Sequence, residues 1–258
     1  MILPFEHIEV IDQAAFTAET SNLNLARNLY PKLALIRGIM GSIRIKHTIS
    51  QIEFDQTVDY LDLQGRNAGK NPLEKLKDYI SEEITLADLD GIFGDRVFLL
   101  QNQKFFERLT QEFNNYYFYQ NRRSFTTAFA FIYRILETIS YAFPLIYATK
   151  TNDFRGTYTL LKDYMSGNKD KGELGFFKSF IKVLFGADPA ANSSITINIY
   201  GDTEEIQQKF FSSIIKACPD QDIYDAADTD EPRKLSVKFT EYSSFIINLR
   251  NRFFHLFN

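Results

Sequence analysis

The stretch LSVKFTEYSSFIINLRNRFFHLF, residues Leu235 to Phe257, decides how this chain is read. Phe239, Phe245, Ile246, Leu249, Phe253 and Leu256 recur in it at helical spacing, which predicts one amphipathic helix over the whole run. On that helix Asn251 and His255 are i,i+4 neighbours and share one stripe, while Arg250 lies on its flank with a side chain long enough to reach the same groove. Two hydrogen-bond donors and one titratable base converge there. An amphipathic helix end, with Arg and His placed near its C-terminus by the helix dipole, explains the same residues without chemistry.

Arg250-Asn251-x-x-x-His255 resembles the R-N-x-x-x-H form of the Rx4-6H motif of HEPN domains, all-helical modules many of which are metal-independent ribonucleases. The chain holds 13 Arg and three His. At these counts about 0.4 matches to the bare pattern are expected by chance, and about 0.01 once Asn must follow Arg. The resemblance implies a mainly α fold, a HEPN-like helical bundle, in which Arg250, Asn251 and His255 are the catalytic residues. Arg252, on the same turn, is read as a substrate-binding cation. It further implies an RNA substrate, a homodimer with a composite site, no metal and no cofactor. The setting implied is phage defence, a CRISPR-associated system or a toxin role, with an antitoxin or another defence-system partner. A catalytically silent helical binding or regulatory module is the alternative.

Working outward, 258 residues with 45% hydrophobic side chains are enough for a well-buried core in one large domain or two small ones. The 25 Phe and 14 Tyr, against no Trp, make that core aromatic-rich. A net charge of -4 excludes a generally basic nucleic-acid coat, so any RNA contact is local. The single cysteine, Cys218, excludes an intramolecular disulfide. With no signal-peptide pattern at Met1 to Glu6, it fits a reducing cytoplasm.

The domains expected are an N-terminal helical region of unknown role, 1–94, and a HEPN-like helical domain, 95–258, which also read as one continuous unit. Periodicity predicts helices from Asp12 to Tyr30 and from Pro31 through Ile43. His7 and His47 have no partner at a useful spacing and are read as surface residues. The glycine-containing connection Gln64 to Asn71 lacks the spacing and the Ser or Thr of a phosphate-binding P-loop. Asn71 instead caps a helix that opens on Pro72, with Glu74 in its first turn.

Arg96 to Tyr119 reads as one long helix whose aromatic stripe is core; the alternative is that these aromatic residues, interleaved with Arg122 and Arg123, stack the bases of single-stranded RNA. Ser124 to Tyr147 is the most apolar stretch. Arg134 and Glu137, near its middle and three residues apart, argue against a membrane span and favour the buried central helix of the bundle. Pro144 ends or kinks it near Ala142. One reading gives Arg134 or Glu137 the task of holding Arg250 or His255; a partly exposed surface pair is the other.

Asp153 to Met165 and Leu174 to Phe185 are further helices around a polar loop at Ser166 to Glu173. Ile195 to Tyr200 alternates apolar and polar residues, the one short β element; a lone strand must pair with something, and another protomer is the partner suggested. Asp202 and Glu205 open the next helix. Pro219 to Glu231 carries six acidic residues without metal-ligand spacing and reads as a solvated acidic loop.

Overall fold

A computed structural model of the chain describes residues 4–27, 30–62, 65–167, 193–217 and 233–254, together with Phe177, Phe180 and Ile181. The chain is mainly helical, with two small antiparallel sheets, and forms two compact units, 1–135 and 136–258. Cys218, His255, the acidic loop at 219–231 and most of 166–185 lie outside the described residues.

The first unit is built on strand β1 (Phe5–Ile8), helix α1 (Pro31–Ile39), hairpin strands β2 (Ile43–His47) and β3 (Ile52–Gln56), and helices α2 (Pro72–Ile80), α3 (Leu86–Gly94), α4 (Arg96–Leu100) and α5 (Gln103–Asn121). The sheet runs β1-β2-β3, antiparallel throughout. The helix expected from Pro31 through Ile43 stops four residues early, at Ile39. Gly41 is the cause: at φ +70°, its N–H bonds the Gly38 carbonyl and the Ser42 N–H bonds that of Arg37, a Schellman ending. Beyond it Ile-Arg-Ile-Lys-His alternates as a strand. Ile43 and Ile45 are buried, while Arg44 and Lys46 stand opposite Asp55 and Glu53 of β3 and pair with them.

The helix expected over Asp12 to Tyr30 is replaced by two 3-10 turns, Gln13–Ala15 and Ala18–Leu23, because Asp12 and Thr17 cap local N–H groups. Asp90 of α3 then pins this segment by accepting from the backbone N–H and the side-chain amide of Asn22. Asn71 caps α2 and Pro72 starts it, as the sequence predicts. The expected long helix from Arg96 is broken at Asn102, which sits in the left-handed region at φ +57°.

The core joins Leu33, Ile43, Ile45, Leu76, Leu89, Phe93, Tyr117 and Phe118, so α5 packs on α1 and the sheet. A division at 94/95 cuts through this core. α5 belongs with the N-terminal residues because its apolar stripe is what they bury. Helix α6 (Phe125–Ser140) follows, with Phe131 stacked on Tyr119.

In the second unit α7 (Ala142–Lys150) begins after a junction at Tyr141, near the break expected from Pro144. The stretch Phe125–Lys150 is long and apolar enough to cross a membrane, and only 22% of its most apolar window is buried. Helix α8 (Phe154–Gly167) packs on α7. Strand β4 (Ser194–Ile199) finds its partner within the chain, in β5 (Arg233–Lys238), and the two enclose helix α9 (Glu204–Ala217) in sequence. Thr203, rather than Asp202, caps α9 by accepting from the Ile206 N–H. Helix α10 (Tyr242–Phe254) ends the described chain.

The single helix expected from Leu235 to Phe257 is therefore a strand, a 3-10 turn at Phe239–Glu241 and a helix. Arg233-Lys-Leu-Ser-Val-Lys238 alternates with period two. Leu235 and Val237 are fully buried opposite Ile197 and Ile195 of β4. Burying two apolar side chains on a paired strand contributes about 1.5–3 kcal/mol each, more than weak local helix propensity opposes.

Candidate functional site

Helix α10 is anchored by its first half and released by its second. Ser243, Ser244, Phe245 and Ile246 are buried, residues 247–250 are half-buried, and Asn251 and Arg252 are exposed. Asn251 and Arg252 thus reach solvent. There the Arg250 guanidinium donates from Nη1 to Asn251 Oδ1 at 3.2 Å. The bond links neighbouring motif side chains, with the exposed Arg252 one residue on. A cation in the last turn also suits the negative end of the helix dipole, which is the purely structural account of Arg252. Arg250, Asn251 and Arg252 are brought to one helix end, whereas His255 lies outside the described residues.

Arg134 does not pair with Glu137. Its Nη2 meets Glu112 Oε1 of α5 at 2.7 Å; the Glu112 side chain is only 5% exposed, so Arg134 serves as counter-ion to a buried carboxylate. Glu137 is half-buried, and its backbone carbonyl accepts from the Ser140 hydroxyl. The i,i+3 spacing was real, but a desolvated carboxylate on the neighbouring helix is the stronger claim on a guanidinium.

A second place of interest is a cleft in the first unit that the sequence reading passed over. It encloses about 210 Å³ and is lined by Pro4, Phe5, His7, Tyr30, Pro31, Gln103, Glu107, Thr110, Gln111 and Asn114. β1 supplies one wall, the start of α1 a second and one face of α5 the third. His7, expected at the surface, is half-buried on the cleft wall. Its Nε2 lies 3.0 Å from Asn114 Nδ2, which can only donate, so the imidazole accepts there and carries its proton on Nδ1. Burial pushes the His7 pKa below its ordinary value, in keeping with a neutral ring. Phe5 and His7 share a strand face by period two, the one signal in the sequence that turns His7 inward.

At the rim Glu107 Oε1 accepts from Gln103 Nε2 at 2.7 Å. The Thr110 hydroxyl is within reach of two backbone carbonyls, Phe106 at 2.7 Å and Pro31 at 3.2 Å, and so tethers α5 to the start of α1. Next to Pro31, Lys32 donates to the Phe98 carbonyl and lies over the Phe98 and Phe106 rings; burial lowers its pKa. Among the described residues no group of three or more His, Cys, Asp or Glu side chains is placed to hold a metal ion.

Neither a family model, nor a curated protein, nor a solved structure matches this chain.

Proposed function

We propose that this protein is an endoribonuclease that cuts single-stranded RNA by attack of the substrate's own 2'-hydroxyl. The observation that carries the reading is the exposed end of α10, where Arg250 and Asn251 are hydrogen-bonded to one another beside Arg252, in the motif Arg250-Asn251-x-x-x-His255. RNA brings its nucleophile with it. The protein must therefore orient the phosphate, move two protons and balance developing charge.

An Arg offers paired N–H donors to phosphate oxygens and stays charged throughout. A His with an unperturbed pKa of about 6.5 suits the proton transfers. The 2'-oxygen bonds to phosphorus as its proton leaves to a base, and the bond to the 5'-oxygen breaks as that oxygen gains a proton. A 2',3'-cyclic phosphate and a 5'-hydroxyl result, and no metal is required by this route. Acid and base roles call for two groups. A two-fold homodimer brings two copies of Arg250 and His255 into one cleft, and an isologous contact does so without further machinery. The setting that fits is a cytoplasmic defence or toxin protein with a HEPN-like fold, acting without a membrane.

The chemistry is tested with matched RNA oligonucleotides that carry either ribose or 2'-O-methyl ribose at the cut position. Cleavage of the ribose form, with a cyclic phosphate on the 5' fragment by mass spectrometry, is the expected outcome. Cleavage of the methylated form at a similar rate would overturn the mechanism.

A further inference from the structure

The cleft at His7 has a charge pattern that selects its ligand. Its lining contains one carboxylate, Glu107, and no Lys or Arg. Glu107 takes part in no salt bridge among the described residues and spends only one oxygen on Gln103. Asn114 gives an amide N–H to His7 and is itself a lining residue, a side-chain amide whose oxygen is an acceptor. Gln111 adds a further side-chain amide, and Phe5, Tyr30, Pro4 and Pro31 supply an apolar and partly aromatic floor. A cation set against aromatic faces and a carboxylate gains from both, whereas an anion meets Glu107 with no compensating charge.

From this lining we infer that the cleft binds a small organic cation of the amidine or guanidine type. Its apolar body lies against Phe5, Tyr30 and the two prolines, and its N–H groups bond Glu107 and Asn114. The neutral state of His7 keeps positive charge out of the cleft. Size agrees as well. A cavity of about 150 Å³ accommodates benzene, so 210 Å³ leaves room for a ring plus a small polar head. The site lies in the first unit and stands independently of the ribonuclease reading.

Three ligands of one shape separate the possibilities: benzamidine is cationic, benzamide neutral and benzoate anionic. Titrated calorimetrically into the full chain, benzamidine is expected to bind at least about tenfold more tightly than benzamide, and benzoate not to saturate. Glu107→Gln, a change at an exposed side chain, lowers benzamidine affinity by about tenfold, the worth of one charge-assisted hydrogen bond. Gln111→Trp fills the cleft and abolishes binding while the circular dichroism spectrum is kept. Glu83→Gln, away from the cleft, leaves affinity unchanged. Equal binding of benzamide or benzoate, indifference to Glu107→Gln, or no binding of benzamidine at about 10 mM would each overturn the assignment.

Discussion

Arg37 gives the sharpest test of how the first unit is held together. Its side chain is 0% exposed, and every one of its five N–H bonds has an acceptor. Nε donates to Ser42 Oγ, Nη1 to Glu9 Oε2 and the Leu23 carbonyl, and Nη2 to Glu9 Oε1 and the Ser42 carbonyl. Glu9 in turn accepts from the backbone N–H groups of Val10, Ile11 and Leu25. One ion pair thus ties β1, the 3-10 segment and the end of α1 together.

Arg37→Met keeps the apolar stem and removes the fork, which leaves the Glu9 carboxylate without its counter-ion and the Leu23 and Ser42 carbonyls without the Arg37 donors. Removing one partner of a buried pair costs about 3–5 kcal/mol. With a urea m-value of about 2 kcal/mol/M, the unfolding midpoint falls by about 2 M. The double variant Glu9→Leu with Arg37→Met deletes both charges and recovers at least half of that loss, since no buried charge is then stranded. Urea denaturation followed by circular dichroism reads both. A midpoint shift under about 0.5 M for Arg37→Met, or a double variant as unstable as the sum of the singles, would refute the reasoning.

Further outcomes follow from the same structure. Gly41→Ala is expected to cost more than about 2 kcal/mol by urea unfolding, because a Cβ there lies 2.6 Å from Thr57 backbone atoms at a φ of +70°; a neutral change would contradict the Schellman ending. Val237→Ala, by emptying a fully buried position on β5, should cost about 1–3 kcal/mol, against a few tenths at a solvent-facing helical site. Two acid-side losses of stability are expected from titration. His7 titrates below its ordinary 6.5 when folded, so its contribution is complete above that pH and is lost as pH falls through and below 6.5. For Glu9, burial alone would raise the pKa, but the Arg37 and backbone hydrogen bonds hold it below 4.5; its contribution stands above pH 4.5 and is lost further down. Urea midpoints measured across pH for His7→Phe should lose the upper step and keep the lower, and an unaltered upper step would exclude His7 as its source.

Local rules were readable wherever the deciding partners are close in sequence. Asn71 with Pro72 starts α2, and Pro144 breaks the apolar stretch at Tyr141, because caps and ring sterics act within a turn. The alternation of Ile43 to His47 and of Arg233 to Lys238 was equally local, yet each run adjoins residues that also fit a helical period. What decides them is pairing with β3 and β4, contacts set by the fold. At the candidate sites the motif residues Arg250 and Asn251 were legible as neighbours on a helix. The Arg134–Glu112 pair joins two helices, and the His7–Asn114 contact spans 107 positions of sequence, so no spacing rule announces either.

The central claim is the ribonuclease site on α10, and it is tested most directly by cleavage of labelled single-stranded RNA in excess EDTA. Wild-type protein is compared with Arg250→Ala and His255→Ala, each verified to be folded by circular dichroism. The account predicts cleavage by the wild type and a loss of at least about 100-fold in both variants, the scale of a missing proton-transfer or phosphate-binding group. Wild-type cleavage that survives in both variants would contradict it.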